Sequence, residues 1–332
     1  DKVVARALKL DKRWGSSDRK FVAETIYDIV RWKRLYAEIA EIKKEPFDRD
    51  GIWRMFAVWA TLKGHTLPDW KYFEGTPVRK IKGKFDELSK DRKFKESIPD
   101  WMDEIGVKEL GEAIWSKEIK AQNEPAKVIL RTNTIRTNKE ALKQELLKLD
   151  IHTTVLPDYP EALELDERAN VFMTDAFKNG MFEVQDASSQ MVAHMLDIQP
   201  GMRVVDTCAG AGGKTLHMAC LMQNKGQIIA MDLYESKLKQ LKIRAKRNGI
   251  HNIEYRVIDT TKVIKKLHGQ ADRVLIDAPC SGLGVLKRNP DAKWKLKPEF
   301  IDNIRKVQAE VLESYAPIVK PGGKLVYATC SV

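Results

Sequence analysis

Cysteine is scarce. The chain has four in 332 residues (Cys208, Cys220, Cys280 and Cys330), and no two form a C-x-x-C pair. So few thiols exclude a disulfide scaffold, and the missing pair excludes a thiolate metal knuckle. Free thiols in a reducing compartment, the cytoplasm, are expected. The six histidines are scattered without H-x-x-x-H or comparable spacing, so no metal site is expected. No apolar run approaches the roughly 20 residues that span a bilayer, and no secretory signal is visible. A membrane partner is therefore not expected, and the chain is expected to be a monomer. Internal repeats and low-complexity tracts are also missing. The chain opens on Asp1 rather than Met, so a preceding piece is expected.

Acidic residues are the minority charge. Lys and Arg number 58 against 47 Asp and Glu, a net charge of +11. That balance favours a polyanionic partner, nucleic acid before membrane surface. At 43% hydrophobic and 32% charged residues, the composition is that of a soluble globular protein. The length exceeds one ordinary core, so two or three domains are expected.

Residues 1–125 read as an all-α domain. In FVAETIYDIVRW, Val22, Ile26, Ile29 and Val30 share a helical face, and IWRMFAVWATLK (Ile52 to Lys63) reads as a second helix. The polar, basic stretch from Gly64 to Pro99 reads as loop-rich. DWMDEIGVKELGEAIWSKEI returns to helical periodicity, and Pro125 marks a boundary. Residues 126–180 read as a small α+β module of the RRM type. KVILRTNT alternates like a strand, and HTTVL, ALEL and VFMT read as short strands. NKEALKQELLKL reads as a helix with Asn138 as its N-cap and Leu142, Leu146 and Leu149 inside. Residues 181–332 alternate helix and strand. MRVVDT, QIIAMD, IEYRVID, DRVLIDA and KLVYAT read as Val/Ile/Leu-rich strands of a doubly wound, Rossmann-like parallel sheet.

Between the first of these strands and its helix lies CAGAGGKT. A P-loop is excluded because Cys208 stands at its first glycine. A dinucleotide fingerprint is excluded because Thr215 stands at its third. A strand ending in Asp206, a small-residue loop (Cys208, Ala209, Gly210, Ala211, Gly212, Gly213) and a helix opening at Lys214 suit S-adenosylmethionine. Glycines let the backbone approach a ligand, and helix-start N–H groups bind a carboxylate. Asp232 ends the next strand and can accept from a ribose diol. Asp259 ends the third, near the adenine position, and Asp277 the fourth; Lys237 completes the cofactor set. Taken singly, each carboxylate reads equally well as a cap for the helix that follows. Four at successive strand ends make coincidence a poor account.

DAPCSG (Asp277 to Gly282) and ATCS (Ala328 to Ser331) each put a cysteine just past a strand. A lone cysteine reads as a small hydrophobe. That reading suits Cys220 in mid-helix, and Cys208 reads as backbone contact to cofactor. The paired strand-end placement of Cys280 and Cys330 reverses the odds for them. The basic run LKRNPDAKWKLK carries Lys287, Arg288, Lys293, Lys295 and Lys297 around Trp294, and suits phosphate contact and base stacking. In KLKQLKIRAKR, Leu238, Leu241 and Ala245 face the sheet and the cations read as a solvated face.

DAPCSG, TCS and CAGAGGKT together resemble the RsmB/Sun-type RNA cytosine-C5 methyltransferase family. QDASSQ, KRNPDAKW and LRTNT resemble further motifs of that family, and the helical N-terminal region resembles its NusB-like domain. GAGG stands where the family more often has APGG, a change between small residues. The resemblance implies a class I methyltransferase domain over residues 181–332, truncated after its fifth strand because further strands follow TCS in the family. It implies S-adenosylmethionine as cofactor and RNA as substrate, ribosomal RNA before transfer RNA. It assigns the nucleophile that adds to cytosine C6 to Cys330, product release to Cys280 and the hydrogen bond to the cytosine edge to Asp277. Lys214 is expected to position the base or lower a thiol pKa. A non-catalytic RNA-binding assembly factor is the alternative from another class; a DNA methyltransferase is disfavoured by the second cysteine.

Overall fold

The computed structural model describes residues 2–43 and 45–331. They form two compact units. One runs up to Pro125 and takes in Gly282–Phe300; the other comprises Ala126–Ser281 and Ile301–Ser331.

The first unit is helical. Helices Ser16–Arg31, Lys33–Ile39, Arg49–Leu62 and Val78–Leu88 bury Leu35, Ile39, Met55, Val58, Trp59 and Ile81 in one core. Asp48 caps the third, its carboxylate accepting from Gly51 N at 2.7 Å. Val78–Leu88 corrects the loop-rich expectation for Gly64 to Pro99. Ile81 is buried, and Phe85 and Leu88 pack on the same core, one stripe at i, i+4 and i+7 hidden among lysines. Helices Asp100–Leu110 and Glu112–Asn123 break at Gly111, whose φ of +78° suits glycine. Ile98, Met102, Trp115 and Ile119 form a second core, which Leu286 joins.

Within Gly282–Phe300, the run from Leu286 to Lys297 was expected to meet RNA beside the thiols. Instead its central residues are built into the helical unit. Lys293 is fully buried; its ammonium donates to Asn123 Oδ1 at 2.6 Å and to the carbonyls of Arg31, Glu96 and Ser97 at 3.1–3.2 Å. Trp294 Nε1 donates to the Val30 carbonyl at 2.7 Å. An ammonium with its donors spent on the protein, and an indole tied to a helix, are not free to meet phosphate and base.

In the second unit, β1 (Ile129–Thr132), β2 (Thr153–Val155), β3 (Ala162–Leu165) and β4 (Phe182–Val184) make an antiparallel sheet of order β2-β3-β1-β4. Helix Lys139–Leu147 covers it, with Asn138 Oδ1 accepting from Ala141 N at 2.9 Å. Leu130, Leu142, Leu146, Leu163 and Phe182 are fully buried together, each burial contributing about 1.5–3 kcal/mol. Leu149, expected inside, is exposed because the helix ends at Leu147. VFMT is a 3₁₀ turn (Val171–Met173) with Phe172 and Met173 exposed. The fourth strand is FEV instead, which carries this sheet past residue 180.

β5 (Arg203–Asp206), β6 (Gln227–Asp232), β7 (Ile253–Val257), β8 (Ala271–Asp277) and β9 (Val319–Ala328) form a parallel sheet of order β7-β6-β5-β8-β9. β5, β6 and β8 are largely buried, which explains their apolar runs, while the outer strands β7 and β9 are partly exposed. The order reverses direction between β5 and β8, the switch point beyond whose strand ends ligands bind in such sheets. Pro321-Gly322-Gly323 is an irregularity inside β9, between the pairs Ala271↔Val319 and Arg273↔Lys324, rather than a turn before it. Among the described residues, no helix is long and apolar enough to cross a membrane.

Candidate active site

Asp206, Asp232 and Asp277 are the last residues of β5, β6 and β8. Asp259, expected at the end of β7, lies two residues beyond it and is exposed. Asp206 is buried, and its Oδ2 accepts from Thr215 Oγ1 at 2.7 Å. Its Oδ1 has no partner. Burial pushes its carboxyl up to about 7, against the Thr215 hydrogen bond. Asp232 accepts from Gly210 N at 2.9 Å and Tyr234 N at 2.8 Å, which pins the loop to β6.

The loop's shape is set by glycines and by what packs behind them. Gly210 and Gly212 have φ of +55° and +87°. A Cβ on Gly212 would lie 1.9 Å from Leu241 Cδ1, whereas one on Gly210 would meet nothing within 4 Å. The first glycine is needed for packing; the second leaves open space. Ala209 N donates to Met231 O at 2.8 Å. Cys208 is half-buried, and burial raises its thiol to about 12, which suits a packing role. Cys220 is buried, and its thiol too is raised by burial.

Residues that sequence reasoning passed over support this loop. Buried Arg131, from β1, donates to the carbonyl of Gly213 and to Gln185 Oε1. Arg244 donates to Ala211 O at 2.6 Å and to Glu183 Oε2 at 2.8 Å, and Arg247 also pairs with Glu183. Two cations of the helix Glu235–Asn248 thus face protein, correcting the solvated-face reading. Its lysines, Lys237 among them, are exposed. Arg131 lies in LRTNT and Gln185 in QDASSQ, so the signal was present, but as motif residues without a contact to explain them.

Lys214 Nζ lies 2.7 Å from Asp277 Oδ2. Two loops further along the same strand-end edge, Cys280 Sγ and Cys330 Sγ are 3.0 Å apart. Cys330 N donates to Cys280 Sγ at 3.3 Å, and the Ser281 and Ser331 hydroxyls are 2.5 Å apart. The Cys330 thiol is held well above its usual range, first by its hydrogen bond to Cys280, then by burial and by the negative charge of Asp277; Lys214 opposes these. Lys214 thus acts in the expected direction, but the Cys280 hydrogen bond and burial outweigh it. Of the expected residues, the structure brings Cys280 and Cys330 into contact, and Lys214 and Asp277. It leaves Asp259 and Lys237 on the exposed surface.

A model of the 16S rRNA methyltransferase RsmB/F family matches residues 193–332, and one of the RsmF/B-like ferredoxin-like domain matches residues 98–172. A probable ribosomal RNA small subunit methyltransferase B of Synechocystis sp. is 37% identical over 238 residues, 71% of this chain and 53% of that protein. The chain therefore spans about half the length of the curated relatives it matches. The crystal structure of PH0851 superposes with a TM-score of 0.82 at 29% identity, covering 99% of this chain and 81% of that one. A methyltransferase homolog from Pyrococcus horikoshii gives 0.64 at 29% identity, over 73% and 76% of the two chains. With two family matches side by side along the sequence and relatives at this identity, the chain belongs to the RsmB/Sun-type family of S-adenosylmethionine-dependent methyltransferases.

Proposed function

We propose that the chain methylates C5 of cytosine in RNA, ribosomal RNA first, through a covalent bond between Cys330 and C6 of the base. The observation that carries this reading is the contact of two thiols from different strand ends, 3.0 Å apart. One thiol would serve simple alkylation; a base that must be attacked and then released calls for a second group beside the first.

The cofactor loop fits S-adenosylmethionine. The open space over Gly210 admits a ligand against backbone, and the unpartnered buried Oδ1 of Asp206 is an acceptor waiting for a donor. Cys208, Ala209, Gly210, Ala211, Gly212 and Gly213 would line it, with Asp232 toward the ribose and the start of the helix Gly213–Leu221 toward the carboxylate. When bound, it supplies an electrophilic methyl on sulfonium. The chain's own residues do the rest. Sulfur of Cys330 adds to C6 while N3 takes up a proton, which makes C5 nucleophilic. Asp277, oriented by Lys214, holds the cytosine edge. Once C5 carries the methyl group, loss of its proton expels the Cys330 thiolate, and Cys280 is placed to assist that release. The target base is single-stranded or flipped out, since the thiols cannot reach C6 inside a stacked helix.

The test is transfer of labelled methyl to total RNA and to purified ribosomal RNA by the whole chain. Label is expected as 5-methylcytosine. Cys330→Ala should abolish it, and Cys280→Ala should accumulate a protein–RNA adduct that survives denaturation. Binding of RNA without any transfer by the unsubstituted protein would overturn the reading.

A further inference from the structure

Two histidines and a glutamate far apart in the chain converge in the second unit. Glu161 precedes β3, His194 closes the helix Ala187–His194, and His217 lies midway along the helix Gly213–Leu221. Glu161 Oε2 is 2.8 Å from His194 Nε2 and 3.4 Å from His217 Nε2. One ligand atom from each of the three lies within 4.8 Å of the others. The imidazole planes stand at 82°, with centroids 5.2 Å apart.

His217 is fully buried, and neither of its ring nitrogens is hydrogen-bonded. The 3.4 Å approach to Glu161 lacks the alignment of a hydrogen bond. A plain hydrogen-bonded cluster leaves that imidazole with both nitrogens idle in the protein interior, at a cost. Burial lowers His217 to about 4. Burial works against ionising Glu161, yet the two imidazoles hold it at about 2. Neutral imidazole and ionised carboxylate are the forms that bind a metal without first losing a proton.

We infer that Glu161, His194 and His217 form a site for one divalent transition-metal ion, zinc first, with a fourth position open to water. Two imidazoles and a carboxylate are a borderline-hard set that suits zinc and leaves such a position. Zinc bonds of about 2.0–2.1 Å place tetrahedral ligand atoms about 3.3 Å apart. The 2.8 and 3.4 Å separations from Glu161 bracket that value, and the histidine ligand atoms lie within 4.8 Å of each other. A cavity of about 510 Å³ lined by Glu161, Thr134, Ile135, Cys220, Leu221 and Gln223 reaches the carboxylate side of the site. Cys220 lies three residues past His217, but its thiol donates to Asn133 Oδ1 at 3.2 Å and is not counted as a ligand. The ion would join the approach to β3 to the helix Gly213–Leu221, and so brace the cofactor loop from behind. The site does not rest on the methyl-transfer reading.

The test uses the whole chain, stripped with a chelator and titrated with Zn²⁺. Bound metal is measured by mass spectrometry and by calorimetry. Cobalt replacing zinc reports tetrahedral geometry in its visible spectrum. The thiol pair could itself take zinc, so the measurement is repeated in Cys280→Ser/Cys330→Ser. One equivalent per chain is expected in both. In this double-serine background, His194→Ala should weaken binding by about 100-fold or more, and Glu161→Gln likewise. His194 is partly exposed, so the fold should tolerate its loss, shown by an unchanged thermal midpoint in chelator; His194→Gln is the substitute should it not fold. Zinc should raise the midpoint of the parent but not of the His194 variant. Loss of the equivalent in the cysteine variant, or full affinity in the His194 variants, would overturn the inference.

Discussion

The Cys330 thiol sits against Cys280 with its proton held, a hydrogen bond being the largest cause and burial the next. A nucleophile in this state is at rest. Alkylation of Cys330 by iodoacetamide at pH 7 should therefore be slower than that of an unstructured thiol. Cys280→Ala removes the hydrogen bond and should speed it at least several-fold, read by peptide mass spectrometry. Equal rates in the two proteins would show that the contact does not govern reactivity. Asp206 carries a second residue-scale expectation. Its carboxyl is raised by burial from 3.8 to about 7, so the folded state holds a proton that the unfolded state has released. Its contribution is complete below pH 3.8 and is lost as pH rises through 7. At about 1.4 kcal/mol per unit, the fall is on the order of 4 kcal/mol. Urea unfolding from pH 4 to pH 8 should show this fall as the difference between the unsubstituted protein and Asp206→Asn, since other groups titrate in the same range in both.

At the scale of elements, the loop before the helix Gly213–Leu221 depends on Gly212. A methyl group there meets Leu241 at 1.9 Å in a left-handed conformation. Gly212→Ala should destabilise the fold by at least about 1–2 kcal/mol from the backbone alone, and weaken S-adenosylmethionine binding in a titration. Gly210→Ala meets no such neighbour, so it should fold better and test the space left for ligand. The same loop shows what the sequence made legible. The strand-end aspartates, the glycines and the thiol pair each follow from a local pattern, and the structure puts all but Asp259 where that pattern implies. The helix Val78–Leu88 was hidden because its stripe of Ile81, Phe85 and Leu88 is diluted by Arg79, Lys80, Lys82 and Lys84. VFMT misled because three apolar side chains and a threonine carry no period that separates strand from turn. Arg131, Glu183 and Arg244 were illegible for another reason: each acts through a partner more than 50 positions away, a distance that no local pattern spans. Glu161 and His217 share that property.

At the scale of the molecule, a single buried ammonium organises the helical unit. Lys293 satisfies three carbonyls and one amide oxygen from Arg31, Glu96, Ser97 and Asn123. Burial and the charge of Arg31 push it down to about 7, while the surrounding acceptors favour keeping its proton. Lys293→Met fills the space but removes the donor these acceptors share, at about 1–3 kcal/mol for each buried group that loses its partner. A loss of at least about 3 kcal/mol in urea unfolding is expected, with the m-value retained.

The lysine also makes the helical unit discontinuous in the gene. Gly282–Phe300 is encoded between two stretches that fold with the other unit, so no single cut separates the two. A fragment ending at Pro125 would carry Leu35, Val58 and Trp59 but lack Leu286 and Lys293, which close its second core and fill its carbonyl cage. Such a fragment should be soluble only poorly and melt without cooperativity. A synthetic peptide of residues 282–300 added in trans should restore a cooperative transition, and the same peptide with Lys293→Met should not. Exchange of the N-terminal helices between related proteins would then succeed only when this inserted segment travels with them.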